Sequence, residues 1–303
     1  MTDTLTVALW ATNLAVPLNG LDAWAARVDA QMAEARAAGA RLLVMPEYMS
    51  LQWLSFAPAG LTLVEEIPWM ASQAEAALAR LRPLPARHGI GLLAGTMPVV
   101  KPDPAPQEPP YLNRAWLLLP DGRAIAQDKL CLTPGEKSPQ DWNLTTGNAL
   151  RIVEWDGVRL ATCICLDIEL PALAARLAPY EIDLVLVPSQ TAKLAGYARV
   201  FSCAKARAVE LQAAVCAVGG VGRAAGPSAL ANTSGAAAYL PCEEVLGHEG
   251  VLASVPPSDR AEGAGPMLIA RDLPIAEVRR LRRGAAEVWP GAWRADHVEI
   301  APA

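Results

Sequence analysis

Apolar runs and amphipathic segments alternate along the first hundred residues. Residues 21–38, LDAWAARVDAQMAEARAA, are amphipathic and rich in helix-forming residues, and Gly39 follows them as a helix stop. The next segment, RLLVMP at 41–46, is short and continuously apolar, which is typical of a strand covered on both faces. A second helix over about 67–82 and an apolar strand over 90–99 repeat this order. The pattern predicts helices alternating with buried strands.

The middle of the chain has a different pattern, with two hairpin signals. Asp121-Gly122 separates RAWLLLP from RAIAQDK, and Asp156-Gly157 separates LRIVEW from VRLATCIC. After Pro171 the pattern predicts strands and helices in the order strand 182–188, helix 197–212, strand 213–220, weaker strands near 235–240, 250–254 and 266–271, and a helix near 274–283. Antiparallel hairpins between two alternating regions do not suit a simple doubly wound sheet. We therefore predict an α/β fold of two stacked mixed sheets with helices on both outer faces.

Composition and charge narrow the possible classes of protein. Of 303 residues, 52% are hydrophobic and 19% charged, enough apolar material for one large core. We predict a single domain over 1–303, with a core at about 5–283 and a C-terminal tail at 284–303. The formal charge of −5 and the lack of a Lys/Arg block argue against nucleic-acid binding. No signal peptide and no run of about 18 apolar residues is apparent, so we expect a cytoplasmic protein without a membrane span.

Cysteine and histidine placement bears on redox and metal chemistry. The six cysteines are few for this length, and without an export signal a disulfide framework is not expected. Cys163 and Cys165 form a C-x-C pair, but the histidines at 88, 248 and 297 are scattered singly. Because a zinc site needs about four clustered ligands, we predict no metal. Sequence distance does not exclude a Cys–His pair, but we expect a group other than histidine to serve as the base.

Three polar side chains follow apolar strands. Glu47 comes after RLLVMP, Lys129 after RAIAQD, and Cys165 at the end of VRLATCI. Each alone could be a loop carboxylate, a solvated lysine or a buried thiol. In α/β sheets, however, ligands bind in the crevice at the strand ends. Together the three supply a base, a cation and a nucleophile, which suffice for attack on an amide carbonyl.

The same stretches resemble the nitrilase superfamily of carbon–nitrogen hydrolases. The matching segments are LLVMPEY (42–48), PDGRAIAQDKLCLTPGE (120–136), ATCICLDIELP (161–171), IDLVLVPS (182–189), RAVELQ (207–212) and ARDLPIAEVRRLR (270–282). The resemblance implies a four-layer α-β-β-α sandwich that usually dimerises, so we expect a homodimer or higher homo-oligomer. It also implies a triad of Glu47, Lys129 and Cys165, with Glu136 as a second glutamate. Cys163 is then a core residue on the preceding strand.

The resemblance implies a cofactor-free hydrolysis of a small amide or carbamoyl compound, with water as the second substrate. A neighbouring ammonium is expected to favour the thiolate of Cys165. Glu47 would take the thiol proton, and Lys129 with the backbone N–H of Leu166 would stabilise the oxyanion. True nitrilases tend to carry Trp-Glu after the cysteine, whereas Leu-Asp stands here, which favours amides. A nitrile hydrolase of the same fold and a catalytically idle scaffold are the alternatives.

The loops at the strand ends supply the candidate pocket residues. They are Tyr48, Trp53, Trp142, Gln190 and Tyr197, of which Trp142, in the loop after Glu136, has the best claim to line the mouth. The sequence departs from the family pattern at Leu166, Glu169, Ala172 and Gln190. These departures remove no catalytic group, but the substrate of better-known members cannot be copied onto this chain.

Overall fold

Two mixed β-sheets and two groups of helices make up the part of the chain described by the computed structural model, residues 3–287 and 298–300. The strands are β1 Leu5–Trp10, β2 Leu42–Val44, β3 Gly91–Val100, β4 Tyr111–Leu118, β5 Ala124–Asp128, β6 Leu144–Thr145, β7 Ile152–Trp155, β8 Val158–Thr162, β9 Leu184–Ser189, β10 Ala214–Gly219, β11 Gly222–Arg223, β12 Ala231–Asn232, β13 Ser234–Tyr239, β14 Val251–Ser258 and β15 Met267–Leu273. The α-helices are α1 Leu21–Ala37, α2 Glu66–Leu81, α3 Leu84–His88, α4 Pro134–Lys137, α5 Pro171–Leu177, α6 Leu194–Leu211 and α7 Ile275–Arg280.

Both large sheets have three parallel strands at their centre. The first has the order β15-β1-β2-β3-β4-β5, with β6 beside β4, and β1, β2 and β3 run parallel. The second has the order β14-β13-β10-β9-β8-β7, with β8, β9 and β10 parallel. Outside these, neighbouring strands pair antiparallel, as in the hairpins β4–β5 and β7–β8, except that β6 runs parallel to β4. Parallel strands end at the same edge of a sheet, so the loops after β2, β8 and β9 can converge on one site.

The two sheets pack face to face and are covered by helices outside. Leu9 and Val44 of the first sheet share one buried cluster with Leu160 and Val185 of the second. A second cluster joins the outer face of the first sheet to α1 and α2, and Phe201 places α6 against the second sheet. The layer order is α-β-β-α, which confirms the predicted fold class. No helix in the described ranges is long and apolar enough to cross a bilayer.

The element bounds differ from the sequence-based ones in instructive places. The run 41–46 is a strand only over its middle three residues, because the chain turns at Pro46 toward the site. The helix expected at 197–212 begins three residues earlier, and the strand expected at 250–254 continues to Ser258. The predicted helix near 274–283 is α7 followed by a π-helical turn, Leu281–Ala285, in which Gly284 has a φ of 111°. The predicted C-terminal tail lies largely outside the described residues.

Candidate active site

Glu47 lies in a tightly held loop after β2. Its side chain is buried, and the next residue, Tyr48, has a φ of 52°, in the left-handed region. The backbone N–H of Tyr48 donates to Thr96 Oγ1 of β3 at 2.8 Å. Gly95 has a φ of 64°, and a Cβ there would lie 2.1 Å from the carbonyl oxygen of Pro46. Only glycine at that position allows the loop to approach β3 this closely.

Lys129 follows β5 and makes ion pairs with two buried carboxylates. Its Nζ lies 2.8 Å from Glu47 Oε1 and 2.7 Å and 2.8 Å from the two oxygens of Glu136. Asn113 of β4 contacts both Lys129 and Glu47. Its backbone carbonyl accepts from the Lys129 N–H at 2.9 Å, and its side-chain Nδ2 donates to Glu47 Oε1 at 2.9 Å. The lysine and Glu47 side chains are each only 1% exposed. The ammonium is therefore held in one place rather than solvated.

Glu136 belongs to the one-turn helix α4. Thr133 caps this helix, and the Thr133 N–H and hydroxyl donate to Glu136 Oε2 at 2.8 Å and 2.9 Å in a capping box. The Tyr48 hydroxyl donates to Glu136 Oε1 at 2.5 Å. Glu136 thus connects the loop after β2 with the loop after β5. Tyr48 has the same connecting role in addition to lining the cavity described below.

Cys165 is the first residue of a 3-10 helix, Cys165–Glu169, and has a φ of 49°. Strand β8 ends at Thr162, so the prediction that the strand continues to Cys165 is wrong. The N–H of Cys163 still donates to Leu186 O, so the chain leaves the sheet only after that residue. Cys165 then begins the 3-10 helix. A left-handed backbone at a residue other than glycine is strained, and such residues cluster at functional sites. The thiol donates to the carbonyl oxygen of Gln190 at 3.5 Å.

Asp167 is a buried residue whose role the sequence analysis missed. Its carboxylate accepts backbone N–H groups from Ile164 at 3.1 Å, Leu130 at 3.1 Å and Cys131 at 2.8 Å. It therefore joins the turn that carries Cys165 to the loop that carries Lys129. The signal in the sequence was an acidic residue two positions after the candidate nucleophile, at the end of an apolar run.

These groups face one cavity of about 430 Å³. It is lined by Glu47, Tyr48, Leu63, Lys129, Thr133, Gly135, Glu136, Asp141, Trp142, Cys165, Gln190, Pro227, Ser228 and Leu230. The N–H of Gln190, which follows β9, donates to Glu47 Oε2 at 2.9 Å. The Trp142 ring packs against the Tyr48 ring at 4.6 Å. The cavity brings together all the predicted site and pocket residues except Leu166, Trp53 and Tyr197.

Three sequence predictions have a different outcome. Leu166 is not among the lining residues, but it is the second residue of the 3-10 helix, where a backbone N–H has no acceptor within the helix. Trp53 lies outside the cavity and packs edge-on against Trp24 with ring centroids 5.1 Å apart. Tyr197 also lies outside it and stacks on Phe201 at 4.1 Å. Both rings fill core space instead of contacting a ligand.

The electrostatics of the cavity favour proton transfer over a resting thiolate. Burial raises the pKa of Glu47 to about 7, against the opposing effects of Lys129 and of a hydrogen bond with the Cys165 thiol. Burial alone would lower the pKa of Lys129, but Glu47 and Glu136 raise it. Burial would raise the pKa of Glu136, but Lys129 holds it below its ordinary value. Of the two glutamates, Glu47 is therefore the one able to accept a proton near neutral pH.

Burial also raises the pKa of the Cys165 thiol well above its usual range. The Glu47 carboxylate adds to this rise and outweighs the opposing effect of Lys129. Lys129 does lower this pKa, as expected, but burial and Glu47 raise it by more, so the ammonium alone does not leave the thiol ionised at rest. In the described part of the chain, no group of three or more His, Cys, Asp or Glu side chains is placed to hold a metal ion.

Comparison with known proteins agrees with this geometry. The family description "carbon-nitrogen hydrolase" matches residues 12–253, a span that contains every side chain named above as lining the cavity. The chain belongs to the carbon–nitrogen hydrolase family. The resemblance to the nitrilase superfamily is thereby confirmed.

Sequence relatives of this carbon–nitrogen hydrolase match only over part of their length. The probable hydrolase YhcX of Bacillus subtilis (strain 168) is 31% identical over 184 residues, 59% of this chain and 33% of that protein. An (R)-stereoselective amidase of Pseudomonas sp. is 34% identical over 137 residues, 45% of this chain and 47% of that protein. The aligned segments thus span about a third and about half of these relatives.

Solved structures show the same fold. A mutant of the Nesterenkonia AN1 amidase from the nitrilase superfamily has a TM-score of 0.67 and 22% identity, covering 94% of this chain and 97% of that one. A further structure of an amidase from Nesterenkonia sp. has a TM-score of 0.67 and 21% identity, covering 92% and 97%. At this identity the likeness establishes the fold of the carbon–nitrogen hydrolase and leaves its substrate open.

Proposed function

We propose that this chain is a cofactor-free amidase that cleaves the C–N bond of a small amide or carbamoyl compound through a thioester on Cys165. One observation carries the proposal. A buried thiol that donates to the Gln190 carbonyl, and a buried Glu47 carboxylate that accepts from the Gln190 N–H and has a pKa raised to about 7, face one cavity that also contains the ammonium of Lys129. Nucleophile, base and cation are therefore held together by buried contacts before substrate arrives.

Acylation follows from these positions. The Cys165 sulfur attacks the amide carbonyl while its proton passes to Glu47, so that no free thiolate accumulates. The negative charge moves to the carbonyl oxygen, where the Lys129 ammonium and the Leu166 N–H stabilise it. One such donor is typically worth about 3 to 4 kcal/mol. As the C–N bond breaks, Glu47 returns the proton to the nitrogen, and ammonia or an amine leaves.

Deacylation uses the same groups in the same order. Water replaces the amine, Glu47 takes one of its protons, and the hydroxide adds to the thioester carbonyl. Collapse breaks the S–C bond, the sulfur regains its proton from Glu47, and the carboxylic acid leaves. Glu136 holds the ammonium in place through both of its oxygens and lets Glu47 remain the proton acceptor.

The relatives support an amide substrate. One sequence relative is an (R)-stereoselective amidase. In a mutant of the Nesterenkonia sp. AN1 amidase, the acetamide moiety of fluoroacetamide is covalently added at the active-site cysteine. Because the adduct keeps the acetamide moiety, it is not a thioester, but it supports a nucleophilic cysteine in a chain of the same fold.

Intact-mass spectrometry tests the proposal directly. The protein is incubated with panels of small amides and nitriles and quenched in acid, and its intact mass is measured. The ammonia released from each compound is quantified in parallel. We expect an acyl adduct that maps to Cys165 and ammonia release from amides in excess of that from nitriles. Turnover of nitriles alone would make the chain a nitrile hydrolase. The absence of both adduct and ammonia across both panels would make it an idle scaffold.

Three further parts of the proposal concern organisation. We propose one hydrolase domain over the chain, a homodimer, and a cytoplasmic location. The shared core between the two sheets supports the first, since residues from both belong to one buried cluster. Analytical ultracentrifugation at several protein concentrations tests the homodimer, and fractionation of the source cell tests the cytoplasmic location. A monomer at all concentrations would contradict the dimer.

A further inference from the structure

The charges that face the cavity are unbalanced. Among the described residues that line it, Lys129 is the one cation, and it is already paired with Glu47 and Glu136. Asp141 adds another carboxylate at the partly exposed side of the cavity. With the thiol neutral, the lining carries a net charge of −1 when Glu47 is protonated and −2 when it is ionised.

Nearby cations do not offset this excess. Lys137, Lys193 and Arg223 lie within four residues of lining residues in sequence, but each is exposed and none lines the cavity. In the described ranges, Asp141 has no Lys, Arg or His nitrogen within 4.0 Å of its carboxylate. A substrate carboxylate would therefore enter the cavity without a cation to receive it.

The remaining wall is apolar and is anchored from behind by one more carboxylate. Leu63, Trp142 and Leu230 contribute apolar surface. Glu66, which is 0% exposed, accepts from Trp142 Nε1 at 3.2 Å and from the N–H of Ser228 at 2.7 Å. These two bonds join the indole to the loop that carries Leu230. The anchor adds negative charge behind an apolar surface and supplies no cation to it.

We infer that the cavity selects amides by charge: it takes substrates whose body beyond the amide is apolar and neutral or carries an ammonium group, and it rejects substrates with a carboxylate there. This rests on the proposed function and narrows its substrate class. It sets aside carbamoyl amino acids and monoamides of dicarboxylic acids. At an effective dielectric constant of about 20, two like charges roughly 7 Å apart repel enough for about a thirtyfold or larger loss of binding.

Three chain-matched amides test this inference. They are pentanamide, 5-aminopentanamide and the monoamide of pentanedioic acid, which share five carbons and whose fifth carbon is a methyl, a methylene bearing an ammonium, and a carboxylate. We expect kcat/KM for the carboxylate compound to be at least about thirtyfold below that for pentanamide. The gap should narrow as salt rises from about 10 mM to about 0.5 M, because exposed charges are screened. Equal or faster turnover of the carboxylate compound would overturn the inference.

Variants of Asp141 locate the effect. Asp141→Asn keeps the shape and should narrow the preference for the ammonium over the carboxylate compound by about three- to tenfold. Asp141→Arg should narrow it further. Glu249→Arg makes the same change of charge in the exposed loop between β13 and β14, at the opposite end of the second sheet, and should leave the ratio unchanged. A ratio unaffected by both Asp141 variants would also overturn the inference.

Binding separates this inference from the proposed function. The three amides are titrated calorimetrically into Cys165→Ala, which keeps the cavity charges but has no nucleophile. Weaker binding of the carboxylate compound supports charge selection whether or not the wild type turns over any of the three. If the carboxylate compound binds most weakly but the wild type turns over none of the three amides, the result would contradict the amidase proposal alone. Equal binding of all three would contradict charge selection alone.

Discussion

Strand β9 has a cluster of buried charges at each end, and the two clusters have opposite stoichiometry. Before the strand, one carboxylate, Asp183, accepts from two cations, Arg279 at 2.6 Å and Arg282 at 2.7 Å, and from the N–H of Arg159 at 2.9 Å. After the strand, one cation, Lys129, is shared by Glu47 and Glu136. Both ends use carboxylates and cations within hydrogen-bonding distance, but only one of them faces a thiol.

The two ends also differ in the proton affinity of their carboxylates. Burial would raise the pKa of Asp183, but hydrogen bonds from Arg279 and Arg159 hold it below its ordinary value. Burial raises the pKa of Glu47 to about 7, Glu136 adds to this rise, and Lys129 only partly opposes it. Glu136 shares the same cation but has a lowered pKa, because both of its oxygens contact Lys129 and it also accepts from Tyr48 and Thr133. The Asp183 end is therefore held ionised, whereas Glu47 can exchange a proton near neutral pH. The predictions below test this division.

The largest expected effect is that of Cys165→Ala, which removes the proposed nucleophile at the Glu47 end. We expect no acyl adduct and no detectable ammonia release, because neither the carboxylate nor the ammonium can form the thioester. Cys163→Ala is the matched control, since that buried thiol lies two residues away and pairs its N–H with β9. It should retain turnover within a few-fold. Loss of turnover in Cys163→Ala with an active Cys165→Ala would contradict both the mechanism and the assignment of Cys165, rather than Cys163, as the family's triad cysteine.

Lys129→Met should lower the acylation rate by about a hundred- to a thousandfold, the usual effect of one lost oxyanion donor. It should also raise the thiol pKa further, because Lys129 lowers that pKa in the wild type. Lys129→Arg should not restore the rate, since the planar guanidinium places its charge differently. Single-turnover rates and the pH profile of iodoacetamide labelling at Cys165 provide the measurements.

Arg279→Met is the control for the lysine, because it removes a cation from the other end of β9. Turnover per folded molecule should stay close to that of the wild type. An unchanged labelling profile and near-normal turnover in Lys129→Met would make the lysine a structural residue like Arg279, and the distinction between the two ends would fail.

Asp183→Asn should affect stability and not chemistry. The substitution leaves two partly buried guanidinium groups without the buried carboxylate that they share, and removing one partner of a fully buried pair costs about 3 kcal/mol, which is the upper value here. Urea unfolding at neutral pH should show this loss, while kcat per folded molecule stays near the wild-type value. Glu249→Gln, at an exposed position, is the control and should change neither. A large drop in kcat for folded Asp183→Asn would show that the two ends are coupled through β9.

The sequence was sufficient to predict the layers and the central residues of the site, because these follow from local patterns. Buried parallel strands appear as continuous apolar runs, and polar residues just after them mark the crevice, as for Glu47 and Lys129. The Asp-Gly pairs located both hairpins because the required turn chemistry is local. The family resemblance added Glu136; the spacing Thr133-x-x-Glu136 is typical of a capping box, but no local pattern showed that its carboxylate is buried against Lys129.

What the sequence could not supply depended on contacts between distant segments. The turn at Cys165 exists because Asp167 accepts N–H groups from Leu130 and Cys131, 37 and 36 residues away. Trp53 appeared to be a pocket residue until Trp24 was seen to pack against it. The thiol pKa depends on complete burial next to Glu47, which local charge counting cannot reveal. Periodicity reports which face of an element is apolar, and not which distant segment covers it.

The smallest effect expected is the pH response of the wild type. Because Glu47 must be ionised to accept the thiol proton, kcat/KM should fall by about tenfold per pH unit below about pH 7. No other group needs to titrate for this acid limb, and Asp183→Asn should keep it unchanged. Glu47→Gln should abolish turnover together with its pH dependence. An acid limb near pH 5 instead would mean that Lys129 pairs fully with Glu47.

Stability should respond to pH with opposite sign at the two ends. The pKa of Asp183 is lowered in the folded chain, so its contribution is present above about 3.8, the ordinary aspartate value, and is lost as pH falls through the folded value. The pKa of Glu47 is raised, so its contribution is present below about 4.5, the ordinary glutamate value, and is lost as pH rises through about 7. Urea unfolding of the wild type, Asp183→Asn and Glu47→Gln between about pH 3 and pH 8 separates the two. Relative to the wild type, the free energy of unfolding of Glu47→Gln should rise as pH rises from about 5 to 8. That of Asp183→Asn should be below the wild-type value by the smallest amount near about pH 3. The same sign for both variants would mean that Glu47, like Asp183, is held ionised in the folded chain, and that the two ends of β9 differ only by the thiol.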